Sequence, residues 1–273
     1  LAAPAYLNKR RASSAEDTGA GAELTFGEMK AQGIIPPEPD APKPVFNIKE
    51  TTRPKVPLER SIFRAYDIRG VVGTNLDAGI ARLIGEVIGT MLVEKGLHGI
   101  VVGYDGRLSS VKLADGLNEG LVSAGVSVLN IGQVPTPLVY FATHNSEFTS
   151  GVSVTGSHNP PDYNGFKIVI DGHTLSGDEI TGIFERIVEK KVIQAKQPGH
   201  VSTKNIIPDY TRFIADDIQI DRRLKVVVDC GNGVPGAVAP DVLAAIGAEV
   251  ESIYCEVDGN FPNHHPDPSD PNN

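Results

Sequence analysis

The 273-residue sequence has no tryptophan, only two methionines and two cysteines, and 6% aromatic residues. Two cysteines, Cys230 and Cys255, are too few for a disulfide framework in a chain of this length, and the count is typical of a reducing compartment. We therefore expect a cytoplasmic protein in which both cysteines are small buried packing residues. A redox pair is the alternative interpretation.

The sequence also lacks a long apolar run and an excess of basic residues. No run approaches the ~20 residues that a membrane-spanning helix requires. Lys and Arg number 25 against 34 Asp and Glu, which gives a formal net charge of -9. This balance argues against contact with nucleic acid or an anionic membrane, where clustered cations are needed. It is still compatible with a small anionic substrate bound by a few arginines.

Apolar periodicity is missing from residues 1–58. The segment "PPEPDAPKP" (36–44) favours extended polyproline conformers, so we expect a disordered, proline-rich tether that joined another module. The segment "LTFGEMKAQG" (24–33) predicts at most one helical turn. The chain starts at Leu1 and stops within "DPSDPNN", and we expect it to be a fragment of a longer protein.

Residues 59–203 alternate between strand and helix patterns, which predicts an α/β domain whose mixed, mostly parallel sheet has flanking helices. Apolar residues at helical spacing predict a helix with Asp77 as N-cap and Gly96 after its end. A second helix is expected to end at Gly125, and a third covers about 138–143. Short apolar runs predict strands at 99–103, 126–132, 151–155 and 165–170.

Two local signals refine this prediction. Asn164-Gly165 is a strong turn dipeptide, because both residues tolerate positive φ. Ser176 and Glu179 are spaced as a capping box at the start of a fourth helix. The face of that helix expected to be buried comprises Ile180, Ile183, Phe184, Ile187 and Val188.

A weakly patterned stretch at 192–205 suggests a domain boundary, and residues 204–273 then predict one further strand-helix-strand unit. A helix from Pro208 is followed by the strand "KVVVDC", the loop "GNGVPG", a helix to about Ile246 and the strand "EVESIYC". One such unit cannot cover both faces of its own sheet. We therefore expect the beginning of a second, truncated α/β domain.

The chemistry is concentrated in "TGSHNPP" (155–161), where a strand ends. Ser, Asn, Gly and Pro are ordinary turn residues, and that interpretation suffices on spacing alone. However, α/β sheets bind ligands beyond the carboxyl ends of their strands, and two prolines stiffen this loop. His158, Asn159 and Lys167 add polar groups and a cation around Ser157. The set suits a serine oxygen that carries a phosphoryl group.

Two other segments could bring arginines to the same edge of the sheet. "FRAYDIRG" (63–70) contains Arg64, Tyr66 and Arg69, and "GYDGRLS" (103–109) contains Arg107. The planar guanidinium group fits phosphate well. The alternatives are a surface ion pair between Arg107 and Asp105, and a hydrogen bond from Arg69 that braces a loop carbonyl.

The segments "TGSHNPPDYNGFK", "FRAYDIRG", "DCGNGVPG" and "VDGNFPNHHPDP" together resemble the α-D-phosphohexomutase superfamily, in its bacterial phosphomannomutase/phosphoglucomutase branch. The resemblance extends from about Ser61 to the last residue. It implies an intramolecular phosphotransferase that interconverts hexose 1-phosphate and hexose 6-phosphate of mannose or glucose. A phosphoserine and a bisphosphorylated intermediate carry the reaction.

The resemblance also implies roles for individual residues. Ser157 would be the phosphoryl carrier, with His158 and Lys167 assisting proton transfer and charge stabilisation. Tyr66 and Arg69 would contact the substrate, and Asn159 would support the loop beside them. The implied partners are hexose phosphates, hexose 1,6-bisphosphate and the remaining domains of the same protein.

The family's metal site is a departure from the pattern. The family holds one Mg²⁺ between the phosphoserine and three aspartates of a "DGDGDR" loop, which this sequence does not contain. Ser157, through its phosphate, would be the only ligand here, and the fragment alone is expected to be inactive. His264, His265 and Asp267 are poor candidates for metal ligands, since adjacent histidines do not easily chelate one ion.

Three alternatives to this function stay open. The first is a phosphoglucosamine mutase, and the second is a non-catalytic binding fragment with a vestigial serine loop. The third is a serine hydrolase or phosphatase, which would need a base on Ser157 and an oxyanion hole. The loop does not read Gly-x-Ser-x-Gly, so this third class has the least support.

Overall fold

A computed structural model describes residues 53–271 of the chain. Residues 1–52 of the tether predicted over 1–58, including the helical turn predicted at 24–33, lie outside the described residues. The segment 53–58 contacts the folded domain, since Val56 and Leu58 are partly buried and pack against its hydrophobic core. The backbone N–H of Lys55 donates to the Asp77 carboxylate at 2.6 Å. The predicted boundaries at 58/59 and 203/204 stay predictions.

Strands and helices alternate through most of the described chain. The strands are β1 (Ile68–Val71), β2 (Gly99–Tyr104), β3 (Ser127–Gln133), β4 (Gly151–Val154), β5 (Tyr163–Ile170), β6 (His173–Thr174), β7 (Val201–Thr203), β8 (Lys225–Asp229) and β9 (Glu249–Ile253). The helices are α1 (Ala78–Glu94), α2 (Ser110–Ser123), α3 (Thr136–Asn145), α4 (Asp178–Val188), α5 (Ile207–Asp217) and α6 (Ala239–Ala245). Short 3₁₀ turns occupy Arg60–Ile62 and Val234–Ala237.

The first seven strands form one mixed sheet in the order β1-β5-β4-β2-β3-β7, with β6 paired to β5. Strands β4, β2, β3 and β7 run parallel to one another, and β5 is antiparallel to β1, β4 and β6. The predicted α/β class with a mixed, mostly parallel sheet is confirmed. All residues of β4 and most of β2 are buried, as expected for strands covered on both faces.

Helix α1 begins and ends where the sequence predicts. The Asp77 carboxylate accepts a hydrogen bond from Ile80 N at 2.8 Å, which satisfies one of the unpaired donors of the first turn. Gly96 has a φ of +73°, in the left-handed region typical of a residue that follows a helix. Helix α1 packs closely on α2, and the contact requires glycine at position 120, since a Cβ there would lie 2.1 Å from Arg82 O.

The turn predicted at Asn164-Gly165 is wrong, because both residues lie inside β5. The Asn164 side chain is buried, and its amide donates to the hydroxyls of Ser109 and Ser110 at 2.9 Å. Gly165 is needed for close approach, since a Cβ there would lie 1.9 Å from Ile68 O. Long-range contacts thus override the local turn preference, and the loop falls at 155–162 instead.

The start of α4 also differs in detail from the prediction. Gly177, at φ +52°, is the N-cap, and no side chain caps the helix. The Glu179 carboxylate accepts from Ser176 N at 3.2 Å, so only half of the predicted capping box forms. Ile180, Ile183 and Ile187 are buried as predicted, whereas Val188 is 59% exposed because it ends the helix on its outer side.

The remaining strands form a separate parallel pair. β8 and β9 pair from Lys225↔Glu249 to Asp229↔Ile253, with α5 before them and α6 as the crossover helix. Val238 and Ile206 join residues of α3, β2 and β3 in a second hydrophobic cluster. The Phe141 ring of α3 lies 5.3 Å from the rings of both Tyr210 and Phe213. This second region (residues 207–271) is therefore anchored to the first (residues 53–203) in part through α3.

The two cysteines lie at the ends of β8 and β9. Both thiols are free and half-buried, and their sulfur atoms are 3.4 Å apart. Burial, with the neighbouring Cys255, raises the pKa of Cys230 to about 12. Among residues 53–271, no helix combines the length and apolar character needed to cross a bilayer.

Candidate active site

The Ser157 loop (residues 155–162) connects β4 to the antiparallel β5. Ser157 is half-buried and has a φ of 53°, the left-handed region that residues other than glycine rarely adopt. Its backbone N–H donates to the Thr155 hydroxyl at 2.9 Å. Such a conformation persists only where the surrounding structure holds it, and it is common at functional sites.

Arg107 braces this loop from beneath. Its Nη2 donates to the carbonyl oxygens of Ser157 at 2.9 Å and Asn159 at 2.6 Å. Its Nη1 donates to Tyr163 O at 3.1 Å and also to Pro160 O. The residue is only 2% exposed. One guanidinium group therefore fixes four carbonyl oxygens of the loop and its exit.

Asp105 completes the brace. Its carboxylate accepts from Gly156 N at 2.9 Å and from Arg107 Nε at 3.2 Å, and the Ser110 hydroxyl also donates to it. Burial lowers the pKa of Arg107, and the Asp105 charge opposes that shift. The ion pair weighed from the sequence is present, but it is buried beneath the loop rather than exposed at the surface.

A cleft of about 370 Å³ opens above the loop. It is lined by Arg64, Ala65, Tyr66, Asp67, Arg69, Ser157, His158, Asn159 and Lys167. The cleft thus brings together all six residues singled out for a role in the reaction. Tyr66 is 69% exposed, as a residue at an entrance would be. The individual roles of the six residues stay predictions.

Asp67 organises the cations at one side of the cleft. It is buried, pairs with Arg69 Nη2, and lies 3.7 Å from Lys167 Nζ. Arg69 Nη1 donates to Gly156 O at 2.6 Å, which is the loop-bracing hydrogen bond considered as an alternative. The Lys167 side chain is 27% exposed, so it can meet both the buried carboxylate and a solute.

His158 and Asn159 occupy the open side of the loop. His158 is exposed and Asn159 is half-buried. The Asn159 side-chain amide donates to Gly156 O at 3.0 Å, a contact that suits the supporting role expected of it. The site therefore presents a half-buried hydroxyl on a rigid corner, facing a cleft with a histidine and several cations.

Comparison with known proteins identifies the family. Two sequence models of the family match, one described as phosphoglucomutase/phosphomannomutase, alpha/beta/alpha domain I, over residues 60–193. The other is described as alpha/beta/alpha domain II of the same family and matches residues 208–273. The chain belongs to the phosphoglucomutase/phosphomannomutase family. The resemblance stated from the motifs is confirmed.

Individual members of the family are similar over most of the chain. A phosphomannomutase/phosphoglucomutase of Pseudomonas aeruginosa is 52% identical over 216 residues, which are 79% of this chain and 46% of the relative. A phosphoglucomutase of Neisseria meningitidis serogroup A is 45% identical over 216 residues, covering 79% of this chain and 47% of the relative. The chain spans about half the length of the curated relatives it matches.

A solved structure shares the fold. The crystal structure of a phosphoglucomutase/phosphomannomutase family protein from Burkholderia thailandensis superposes with a TM-score of 0.76 at 44% identity. The match covers 79% of this chain and 48% of that one. Family members act on hexose phosphates and are generally Mg²⁺-dependent.

The described residues do not by themselves form a site for Mg²⁺. Among residues 53–271 no group of three or more His, Cys, Asp and Glu side chains could hold a metal ion. Asp67 is committed to Arg69 and Lys167, and His264 lies against Asp229 at 3.1 Å in the second region. The role of Ser157 as a ligand through its phosphate stays a prediction.

A larger cleft of about 560 Å³ lies between α1 and α4. Its charged side chains neutralise one another, since Arg186 pairs with Glu94 at 2.9 Å and Lys191 with Glu189 at 2.6 Å. The Ser157 cleft differs because its cations outnumber its single buried carboxylate. An excess of positive charge favours a phosphorylated ligand, so we take the smaller cleft as the candidate active site.

Two features of the site were not predicted. Asp67 stands within "FRAYDIRG" but was not recognised as the partner of Lys167, which follows 100 positions later in the chain. Arg107 was considered only as a phosphate ligand or an ion pair. The signal that could have found both is the family topology, which places β1 and the β2–α2 loop beside the Ser157 loop.

Proposed function

We propose that this chain carries the phosphoserine part of a mutase that interconverts hexose 1-phosphate and hexose 6-phosphate of glucose or mannose. The observation that carries the proposal is the convergence of Ser157, His158 and Lys167 on one cationic cleft. The family's action on hexose phosphates supports it. The substrates are hexose phosphates and hexose 1,6-bisphosphate, and the further domains of the same protein complete the site.

In the proposed reaction Ser157 begins as a phosphoserine. The O6 hydroxyl of hexose 1-phosphate attacks the phosphorus, an O6–P bond forms, and the bond from phosphorus to Ser157 Oγ breaks. The hydroxyl proton passes to a base, for which His158 is the candidate, and the serine oxygen regains a proton. The products are a free serine and hexose 1,6-bisphosphate.

The second half-reaction reverses the roles of the two ends of the sugar. The bisphosphate reorients, and a bond forms from the C1 phosphorus to Ser157 Oγ while the bond from that phosphorus to O1 breaks. The Ser157 hydroxyl gives up its proton, and the O1 oxygen takes one up. Hexose 6-phosphate then leaves, and the phosphoserine is restored. Every phosphoryl group and proton gained in one half is returned in the other, so the net change is an isomerisation.

The side chains contribute position and charge. A phosphoserine carries roughly -1.5 to -2 charge at neutral pH, and transfer between oxygens depends mainly on alignment and charge neutralisation. Lys167 is held near the cleft by Asp67 and would neutralise charge as the phosphoryl group moves. Tyr66 and Arg69 would contact the sugar phosphate, with Asn159 supporting the loop.

The metal and the compartment belong to the proposal as well. One Mg²⁺, with further ligands from residues outside this chain, would neutralise charge on the phosphoserine when bound. A cytoplasmic location is proposed from the two free thiols, which suit a reducing compartment. Hexose phosphates are anionic metabolites that do not cross membranes freely, which agrees with that location.

The test uses this chain alone and a chimera in which it is continued by the part of the 52% identical Pseudomonas aeruginosa relative that lies beyond the match. We expect no glucose 1-phosphate to glucose 6-phosphate turnover by the chain alone and Mg²⁺-dependent turnover by the chimera. Ser157→Ala should abolish turnover, whereas Ser61→Ala, an exposed serine outside the cleft, should not.

Two results would contradict the proposal. One is a folded chimera without turnover, which would favour the non-catalytic alternative. The other is turnover that survives Ser157→Ala. A preference for glucosamine 1-phosphate over glucose 1-phosphate and mannose 1-phosphate would instead support the phosphoglucosamine mutase alternative.

A further inference from the structure

Arg107 lies beneath the candidate site rather than in it. It does not belong to the residues that line the cleft, yet it donates hydrogen bonds to three carbonyl oxygens of the Ser157 loop. A guanidinium group has five N–H donors. Nε uses one on Asp105, Nη1 uses two on Pro160 O and Tyr163 O, and Nη2 uses two on Ser157 O and Asn159 O.

This full set of hydrogen bonds excludes one role and supports another. Because each donor has a protein acceptor, Arg107 has none left to offer to a substrate phosphate. The acceptors on the loop are all backbone carbonyl oxygens, so the contacts determine backbone position whatever side chains the loop carries. Hydrogen bonds from Arg107 to these carbonyl oxygens are therefore expected of a residue that fixes the conformation of the loop.

The space around Arg107 is closed from two sides. A Cβ at Gly156 would lie 2.1 Å from Arg107 Nε, so the loop rests directly on the guanidinium group. From the second region, the Phe261 ring lies 5.1 Å from Arg107 Cζ, and a Cβ at Gly259 would lie 3.0 Å from Arg107 Cα. The guanidinium is thus held between the Ser157 loop and the loop that follows β9.

We propose that Arg107 is a positioning residue that fixes the carbonyl frame of residues 157–163 and thereby the place of the Ser157 hydroxyl in the cleft. The effect of Arg107 on phosphoryl transfer rests on the proposed function, whereas its effect on the position of the loop does not. Lysine cannot replace it, because an ammonium group offers three donors around one point instead of a planar fork. The left-handed backbone of Ser157 would then lose the contacts that hold it.

The first arm of the test measures the loop without reference to activity. Hydrogen exchange is followed in this chain at Gly156, Ser157, Asn159 and Tyr163, whose backbone N–H groups are all hydrogen-bonded. In Arg107→Lys we expect these amides to exchange at least about tenfold faster, while amides of α1 keep their rates. Arg107→Ala should show the same pattern with a larger change.

Arg82→Lys is the matched control. Arg82 pairs with Glu86 at 2.8 Å and Glu119 at 3.1 Å, so it is another guanidinium held by several protein acceptors, but away from the loop. It should leave the exchange of the four loop amides unchanged. Loop rates in a folded Arg107→Lys that equal the wild type would overturn the inference, as would an equal increase in the loop and in α1.

The second arm uses the chimera described above and separates positioning from substrate binding. A misplaced nucleophile loses rate in the chemical step, so Arg107→Lys should lower kcat by about a hundredfold. The KM for glucose 1-phosphate should stay within about twofold of the wild-type value, because Arg107 has no donor for the substrate.

The two arms distinguish two failures. An unsubstituted chimera without turnover contradicts the proposed function, and hydrogen exchange in the chain alone then decides the role of Arg107. An active chimera in which Arg107→Lys keeps its kcat overturns the positioning role and leaves the proposed function standing. A rise in KM alone would also overturn it, because that result assigns Arg107 to substrate binding.

Discussion

The two regions of the molecule use similar sequence patterns with different results. In the first region β2 and β4 are almost completely buried, and helices α1 and α2 contribute many buried residues. In the second region β8 alternates between exposed and half-buried residues, and helices α5 and α6 contain no buried residue. The run "KVVVD" has three consecutive apolar residues, as "GIVVG" does, yet Val227 is 57% exposed.

The difference shows where stability and chemistry are located. Burial of apolar side chains is the dominant stabilising contribution to a fold, and an isolated pair of strands is marginal by itself. The residues that line the candidate site come from the first region. The second region adds Phe261 beside Arg107. We infer that the first region supplies a rigid frame on which the second depends.

The largest expected effect contrasts an apolar position in each of the two regions. Ile88→Ala in α1 removes a fully buried side chain and should lower the free energy of unfolding by about 2–5 kcal/mol. Val227→Ala in β8 should change it by less than about 0.5 kcal/mol, since that side chain is mostly exposed. Urea denaturation of the chain measures both, and equal losses would contradict the contrast.

A second prediction contrasts lysines. Lys167→Ala should lower kcat of the chimera by about 10²–10³-fold with a smaller change in KM, because its charge matters most as the phosphoryl group moves. Lys225→Ala removes an exposed lysine that pairs with Glu251 at 3.1 Å in the second region, and it should leave kcat unchanged. An effect of Lys167→Ala on KM alone would contradict the assigned role.

A third prediction concerns the contact between the regions. Phe141→Leu removes aromatic contacts with Tyr210 and Phe213, each worth about 0.5–1.5 kcal/mol beyond area burial. Amide exchange in β8 should become faster, while that in α1 should not change. Equal exchange in β8 before and after the substitution would show that the second region does not depend on α3.

The smallest expected effect concerns the thiols of the second region. Because the pKa of Cys230 is raised to about 12, almost none of it is thiolate at pH 8. Iodoacetamide should therefore modify Cys230 in the folded chain far more slowly than in urea. Rapid modification at pH 8 would show that its environment is less apolar than described, and Cys255→Ser provides the single-thiol chain for the measurement.

Local pattern predicts most elements of the first region but not the contacts that shape its site. The Asp77 cap and Gly96 mark α1 because capping depends on neighbours within a few residues. The turn predicted at Asn164-Gly165 was wrong because the environment of these residues is set by Ser109, Ser110 and Ile68, which are distant in sequence.

The same distinction applies to the candidate site. The motif around Ser157 indicated the six residues, and the structure places them in one cleft. The support beneath them could not be predicted, because Arg107 reaches carbonyl oxygens 50 or more positions along the chain. Backbone carbonyl groups leave no signature in the sequence.

The central claim is that the Ser157 hydroxyl accepts a phosphoryl group. The most direct measurement is the intact mass of the chimera after incubation with glucose 1,6-bisphosphate and Mg²⁺, with the modified residue located by fragmentation. We expect a species about 80 Da heavier, the mass of one phosphoryl unit, with the phosphate on Ser157 and no such species in Ser157→Ala. A heavier species that persists unchanged in Ser157→Ala would contradict the account.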